Sequence, residues 1–320
     1  MKEVNESGKF LDGVTLVPVR ADSTCVDSAA ATAAAERLIT TDGIVAIMGA
    51  DCSGVTGAVL SNVAVPNGVP MISPSATSPA LSTAEDNGLF FRTAPSDARQ
   101  GEVLASMLQE KGITSVAVTY TNNDYGKGLS DSFIANFEKM GGAVTLNAPH
   151  EDGKADYSAE VGALASAGGD LLVVLGYSDQ GGKGMIQASL DTGAFDTFMM
   201  GDGMYGDALL EALGSDMEGS FGAVPWSEAM MRQALIAMAM MAGGEATSEA
   251  VAANVLNVAN APGEKILPGE LGKAMEILAA GGEVDYVGAT NVELIGPGEA
   301  AGSYREYMVK GSMYDTVKFR

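Results

Sequence analysis

Two predicted strands of this chain finish in small hydroxyl residues and backbone amides, groups that can hold a ligand by hydrogen bonds. They gather in residues 47–79, IMGADCSGVTGAVLSNVAVPNGVPMISPSATSP. An apolar run, Ile44-Val45-Ala46-Ile47-Met48, ends at Gly49-Ala50, and Ser53 then stands where the N-cap of a short helix belongs. A second run, Val69-Pro70-Met71-Ile72, stops at Ser73-Pro74-Ser75-Ala76-Thr77-Ser78-Pro79. Both strands therefore finish in small hydroxyl residues and free N–H groups. In an open parallel sheet that edge is where ligands bind. A helix N-terminus there suits an anion such as a carboxylate. Such a pocket holds a small ligand without reacting with it.

The groups that catalysis needs are sparse. The chain has one histidine, His150, placed beside Glu151 and Asp152 and expected to be a solvated surface residue. One histidine removes most catalytic triads and most zinc sites. Neither GxGxxG nor GxxxxGK[ST] follows a strand, and no loop pairs an acid with a base. The reading is therefore of a protein that is not an enzyme and carries neither cofactor nor metal. The net charge of −23 argues against nucleic acid or anionic lipid as a partner. No apolar run approaches the ~20 residues that span a bilayer.

The elements that must position those hydroxyls alternate strictly. A strand over 14–19 precedes a helix beginning at Ser28 and capped by Asp27. The 47–79 stretch follows, then a strand at 89–92 running into Thr93-Ala94-Pro95-Ser96-Asp97. A second series begins with a helix over 98–110. Strands follow at 116–119, 143–146, 171–175, 198–200 and 219–224, separated by helices. This pattern predicts right-handed βαβ units and two parallel sheets, joined near 94–96 and 224–226. Beyond Trp226 come an apolar Ala/Met helix over 230–241 and helices over 248–258 and 269–278. Strands are expected at 284–288 and 291–295, before a closing hairpin over 304–309 and 314–319. The methionines of 230–241 read as core filler. Cys25 and Cys52 each follow a predicted strand. Neighbouring strands would bring the thiols together in an oxidising compartment, whereas strands placed apart leave two unconnected thiols.

With these residues in view, the chain resembles the periplasmic solute-binding proteins of ABC importers, type I fold, in the branched-chain amino-acid (Leu/Ile/Val) receptor family. The resemblance covers nearly the whole chain. It rests on Gly49-Ala50-Asp51-Cys52-Ser53-Gly54, Met71 to Pro79, and Phe91-Arg92-Thr93-Ala94-Pro95-Ser96-Asp97 with Gln100-Gly101. Asp124-Tyr125-Gly126, Asp156-Tyr157-Ser158 and Gly201-Asp202-Gly203 complete it. It implies an α/β protein of two doubly wound parallel-sheet lobes joined by a three-crossover hinge. The N-terminal lobe would comprise residues 1–94 plus 226–302, and the C-terminal lobe 95–225 plus 303–320. It also implies a Cys25–Cys52 disulfide.

The ligand set it implies is residue-specific. Ser53 would give its hydroxyl to a ligand carboxylate, helped by the N–H groups of Ser75 and Thr77, with Ala76 in the same loop. The Ser75 carbonyl and the Thr77 hydroxyl would take an α-ammonium. Asp202 would supply the opposing carboxylate, and Tyr125 and Tyr177 would cover the ligand as the cleft closes. The implied protein is a periplasmic monomer that binds an amino acid and hands it to a membrane permease. A ligand-sensing regulator of the same fold, for an amide or amino acid, is the alternative. Two departures stand out: the family's first strand and following loop are absent, and the span from Val224 to Met230 is short. The chain as given is expected to lack its true N-terminus.

Overall fold

The computed structural model describes the chain except residues 227–231, 288–292 and 297. The expected helix start at Met230 and the Asn291-Val292 part of an expected strand therefore lie outside the described residues. The chain divides into two compact units. One comprises Met1–Thr77, Leu81–Pro95 and Ser227–Gly302; the other comprises Ser78–Ala80, Ser96–Trp226 and Ser303–Arg320.

The first unit is built on a five-stranded sheet in the order Ile47–Met48, Met71–Ser73, Phe90–Pro95, Glu299–Ala300, Leu294–Ile295. Its first four strands are parallel and the last is antiparallel. Met71–Ser73 and Phe90–Pro95 are buried at every position. Burial on both faces explains why they read as near-continuous apolar runs rather than alternating ones. Helix Ser28–Thr40 is Ala-rich, and the Asp27 carboxylate accepts from Ala30 N–H at 2.9 Å at its start. Helices Arg232–Gly243, Ser248–Ala259 and Leu271–Ala279 close the other side. Met238, Met240, Met241 and Met275 are buried among Val251, Val255 and Leu278. These methionines are packing residues, as their spacing suggested.

Residues 14–19 are not a strand. Val14 and Val17 are 48% and 73% exposed, and the segment has no ladder partner among the described residues. Pro18 removes a donor from the run. What holds the segment is local. The Asn5 side chain pairs with both backbone groups of Leu16 at 2.9 Å, and Cys25 is bonded to Cys52 with Cα atoms 5.2 Å apart. The disulfide is thus present although one of the two strands invoked to explain it is not. Two short strands also escape a reading by pattern. Glu264–Ile266 pairs with Val284–Tyr286, and Glu299–Ala300 pairs with Phe90–Pro95. In both, charged residues occupy positions where an apolar period is sought.

The second unit carries a seven-stranded sheet in the order Met313–Phe319, Tyr304–Lys310, Phe221–Pro225, Phe198–Met200, Leu172–Leu175, Ser115–Thr121, Ala143–His150. The last five strands are parallel, and Tyr304–Lys310 runs antiparallel to both its neighbours. Helices Asp97–Lys111 and Asp124–Lys139 pack against each other so closely that Gly101 is required. A Cβ there would lie 2.6 Å from Phe133 N. The strand predicted over 143–146 continues to His150, which is fully buried, not solvated. The reason is local: Thr119 and Thr121 on the neighbouring strand offer a hydroxyl to each ring nitrogen, at 2.8 and 3.0 Å.

Candidate functional site

In the first unit, strand Ile47–Met48 turns through Gly49–Asp51 into helix Ser53–Val59. Cys52 occupies the N-cap and Ser53 is the first helical residue, so the helix begins one position earlier than expected. Ser73, at the end of the next strand, organises the turn. Its hydroxyl donates to Ala50 O at 2.7 Å and accepts from Ala76 N–H at 3.0 Å. Thr56 also donates to Ala50 O, at 3.2 Å. Ser53 Oγ accepts from Thr77 N–H at 3.1 Å, so that amide is engaged within the protein. Ser75 is exposed and its hydroxyl donates to Asp51 O at 2.9 Å, whereas Ala76 is fully buried. Thr77 Oγ1 is buried and has no hydrogen bond among the described residues. A buried hydroxyl left unpaired is costly, and a polar ligand atom would relieve it.

Beneath this loop lies Arg92, wholly buried. Its guanidinium donates to Glu299 Oε1 at 2.6 Å, to Ser82 Oγ at 2.6 Å and to Ala76 O at 3.3 Å. A rigid fork of donors thus ties the loop at Ala76 to a sheet carboxylate.

In the second unit, Tyr125 lies in the first turn of helix Asp124–Lys139. Asn123 Oδ1 accepts from Gly126 N–H at 2.9 Å and caps that helix. Asp202 follows strand Phe198–Met200, and Tyr177 follows strand Leu172–Leu175. The Tyr125 hydroxyl donates to Asp202 Oδ1 and accepts from Gly203 N–H at 2.9 Å. The rings of Tyr125 and Tyr177 stack with centroids 4.6 Å apart. Tyr125 is almost completely buried, so Tyr177, which is half-buried, is the more accessible ring. Burial pushes the Asp202 carboxyl above the usual carboxylate range. Hydrogen bonds from Tyr125, Gly203 and Gln100 pull partly the other way. Burial, then the charges of Asp202 and Asp97, push the Tyr125 phenol well above its usual value. Asp202 forms no ion pair among the described residues. Its neighbours are neutral donors.

The structure therefore brings Ser53 to Thr77 in one unit, and Tyr125, Tyr177 and Asp202 together in the other. Ser73, Arg92 and Gln100 are functional candidates that the sequence alone does not single out. Gln100 donates to Ala223 O at 3.0 Å and also bonds Asp202. Only Ser73 carried a signal, its place at the end of an apolar run; Arg92 lies inside strand Phe90–Pro95 and Gln100 inside helix Asp97–Lys111. Among the described residues no group of three or more His, Cys, Asp or Glu could hold a metal, and no helix is long and apolar enough to cross a membrane.

The sequence profile described as "Periplasmic binding protein" matches residues 1–259. The chemotactic signal transduction system substrate-binding protein BasB of Halobacterium salinarum is 29% identical over 314 residues, 90% of this chain and 75% of that protein. Leu/Ile/Val-binding protein homolog 3 of Brucella melitensis is 39% identical over 46% of this chain and 40% of its own length. The chain thus spans three quarters of the first relative and less than half of the second. Among solved structures, the leucine binding protein LivK from Thermotoga maritima superposes with a TM-score of 0.78 at 22% identity, covering 99% of this chain and 92% of that one. The substrate-binding protein LivJ from Streptococcus pneumoniae, in complex with isoleucine, gives 0.74 at 19% identity, covering 99% and 93%. The profile match and the two superpositions agree: the chain belongs to the periplasmic binding protein family and has its type I fold.

Proposed function

We propose that this protein captures an α-amino acid with an apolar side chain, with leucine, isoleucine or valine first, and delivers it unaltered to an ABC permease. The observation that supports this best is Asp202. It is a carboxylate whose ionised form is penalised by burial and whose hydrogen-bond partners, Tyr125, Gly203 and Gln100, are neutral donors, so a ligand ammonium would supply the missing cation. Ser53, Ser75, Ala76 and Thr77 supply hydroxyl and main-chain groups for the remaining polar ends, and Tyr177 supplies apolar cover. The disulfide fits a periplasmic location. The protein is expected to act as a monomer.

A second reading, reception of the same ligand for sensing instead of import, draws support from one observation. The relative covering 90% of this chain is a substrate-binding protein of a chemotactic system. A thermal-shift screen against the amino acids tests the binding claim. A ligand at a hundred times its dissociation constant stabilises by about 2.7 kcal/mol. No shift with leucine, isoleucine or valine would refute that assignment. Pull-down of a permease against pull-down of a transducer by the liganded protein separates the two readings.

A further inference from the structure

His150 has no role in the site as described, yet its surroundings are completely specified. It ends strand Ala143–His150 opposite Thr121, and its ring touches the Thr119 hydroxyl through Nδ1 and the Thr121 hydroxyl through Nε2. Thr121 Oγ1 also accepts from Tyr177 N–H at 3.1 Å and donates to Gln180 O at 3.3 Å. A hydroxyl has one proton and two lone pairs. With its proton on Gln180 and one lone pair on Tyr177 N–H, Thr121 can only accept from the ring. With the Thr121 proton on Gln180 O, the consistent tautomer carries its proton on Nε2, and Nδ1 accepts from Thr119. The segment that follows is pressed onto the same ring. Gly181 has φ 92, and a Cβ there would lie 2.8 Å from His150 Cδ2 and 2.9 Å from the Tyr157 hydroxyl. That leaves no space for the segment to shift inward.

We propose that His150 is the positioning residue of the candidate site: through the Thr121 hydroxyl it fixes the backbone at Tyr177 and Gln180, and so the Tyr177 ring on Tyr125. This inference rests on the reading of Tyr177 as a ligand-facing residue. The arrangement needs a neutral imidazole. A second ring proton would face Thr119 Oγ1, displace that hydroxyl's own proton and place a charge in a closed site. The charged groups facing the ring are Glu160, on helix Ser158–Ala167 and paired with Lys154, and Asp152 in the preceding loop. The Tyr157 ring meets the imidazole edge-on at 6.4 Å. Burial outweighs those two carboxylates and pulls the imidazole down to about 4. The device is therefore engaged at neutral pH and released in acid.

Hydrogen exchange of the unliganded protein tests this without any ligand. His150→Leu and Thr121→Val should each speed exchange of the Tyr177 amide by about tenfold relative to the central strand Leu172–Leu175, the loss expected for one hydrogen bond. His150→Gln, whose side-chain amide can donate to Thr121 while its oxygen accepts from Thr119, should restore protection. Titration with L-leucine should show about tenfold weaker binding for the first two variants and near wild-type binding for the third. Unchanged Tyr177 protection in both disrupting variants, or protection lost uniformly across the sheet, overturns the proposal. If wild type ignores leucine while the exchange pattern holds, the ligand assignment fails and the positioning role stands.

Discussion

The two groups of candidate ligand residues are built on opposite principles. In the first unit the polar atoms are neutral, and their placement depends on staples: Ser73 to Ala50 and Ala76, Ser53 to Thr77, and buried Arg92 beneath Ala76. In the second unit the polarity is concentrated in one carboxylate, Asp202, surrounded by Tyr125, Gly203 and Gln100. A set of dipoles fails when its scaffold moves, whereas a single charge fails when its atom is replaced. Stability and binding should therefore separate between the two units.

The largest stability effect should come from Arg92. Replacing it with Ala leaves Glu299 without its cation and frees the Ala76 carbonyl, at a cost of roughly 3–5 kcal/mol in urea unfolding. If Arg92→Ala unfolds at the wild-type midpoint, the first unit does not depend on its scaffold in the way described. Next is the Cys25–Cys52 bond, which closes a span of 27 residues. Reduction should cost about 3–4 kcal/mol by chain entropy. Because residues 14–19 lack a ladder, the earliest loss of exchange protection should appear there.

His150 gives a pH signature of similar size. Its pKa is depressed to about 4 from 6.5, so the unfolded chain takes up the proton first. Its contribution is complete above pH 6.5 and is lost as pH falls toward 4, by roughly 3 kcal/mol. His150→Gln should flatten that part of the stability–pH curve. Asp202 has the opposite sign. Its raised pKa makes ionisation unfavourable to the fold, and that penalty fades as pH drops through the raised value. Ligand affinity should weaken over the same acid range, because a protonated Asp202 cannot pair an ammonium. The smallest effect is Ser73→Ala, about 1–2 kcal/mol of stability, with weaker leucine binding as the Ala76 amide loses its partner.

Much of this was legible in the residues. The alternation of strand and helix gave both sheets because parallel strands buried on both faces, such as Leu172–Leu175, are continuous apolar runs. Hydroxyl-rich strand ends pointed to the Ser53–Thr77 loop, since ligands of open parallel sheets bind at the carboxyl ends of the strands. His150 was misread because its neighbours in sequence, Glu151 and Asp152, are polar, while the groups that bury it are some 30 positions away on another strand. Residues 14–19 looked like a strand by composition, but a strand is defined by a hydrogen-bonded neighbour that composition cannot supply. Arg92 illustrates the same limit, since its partner Glu299 is 207 positions distant.

The most direct measurement is calorimetric titration of L-leucine into the wild-type protein and into Asp202→Asn at neutral pH, with the leucine recovered afterwards. One site is expected in the wild type, with affinity lower by at least about 30-fold in the variant and leucine returned unchanged. Equal affinity in both proteins, or conversion of the leucine, would contradict it.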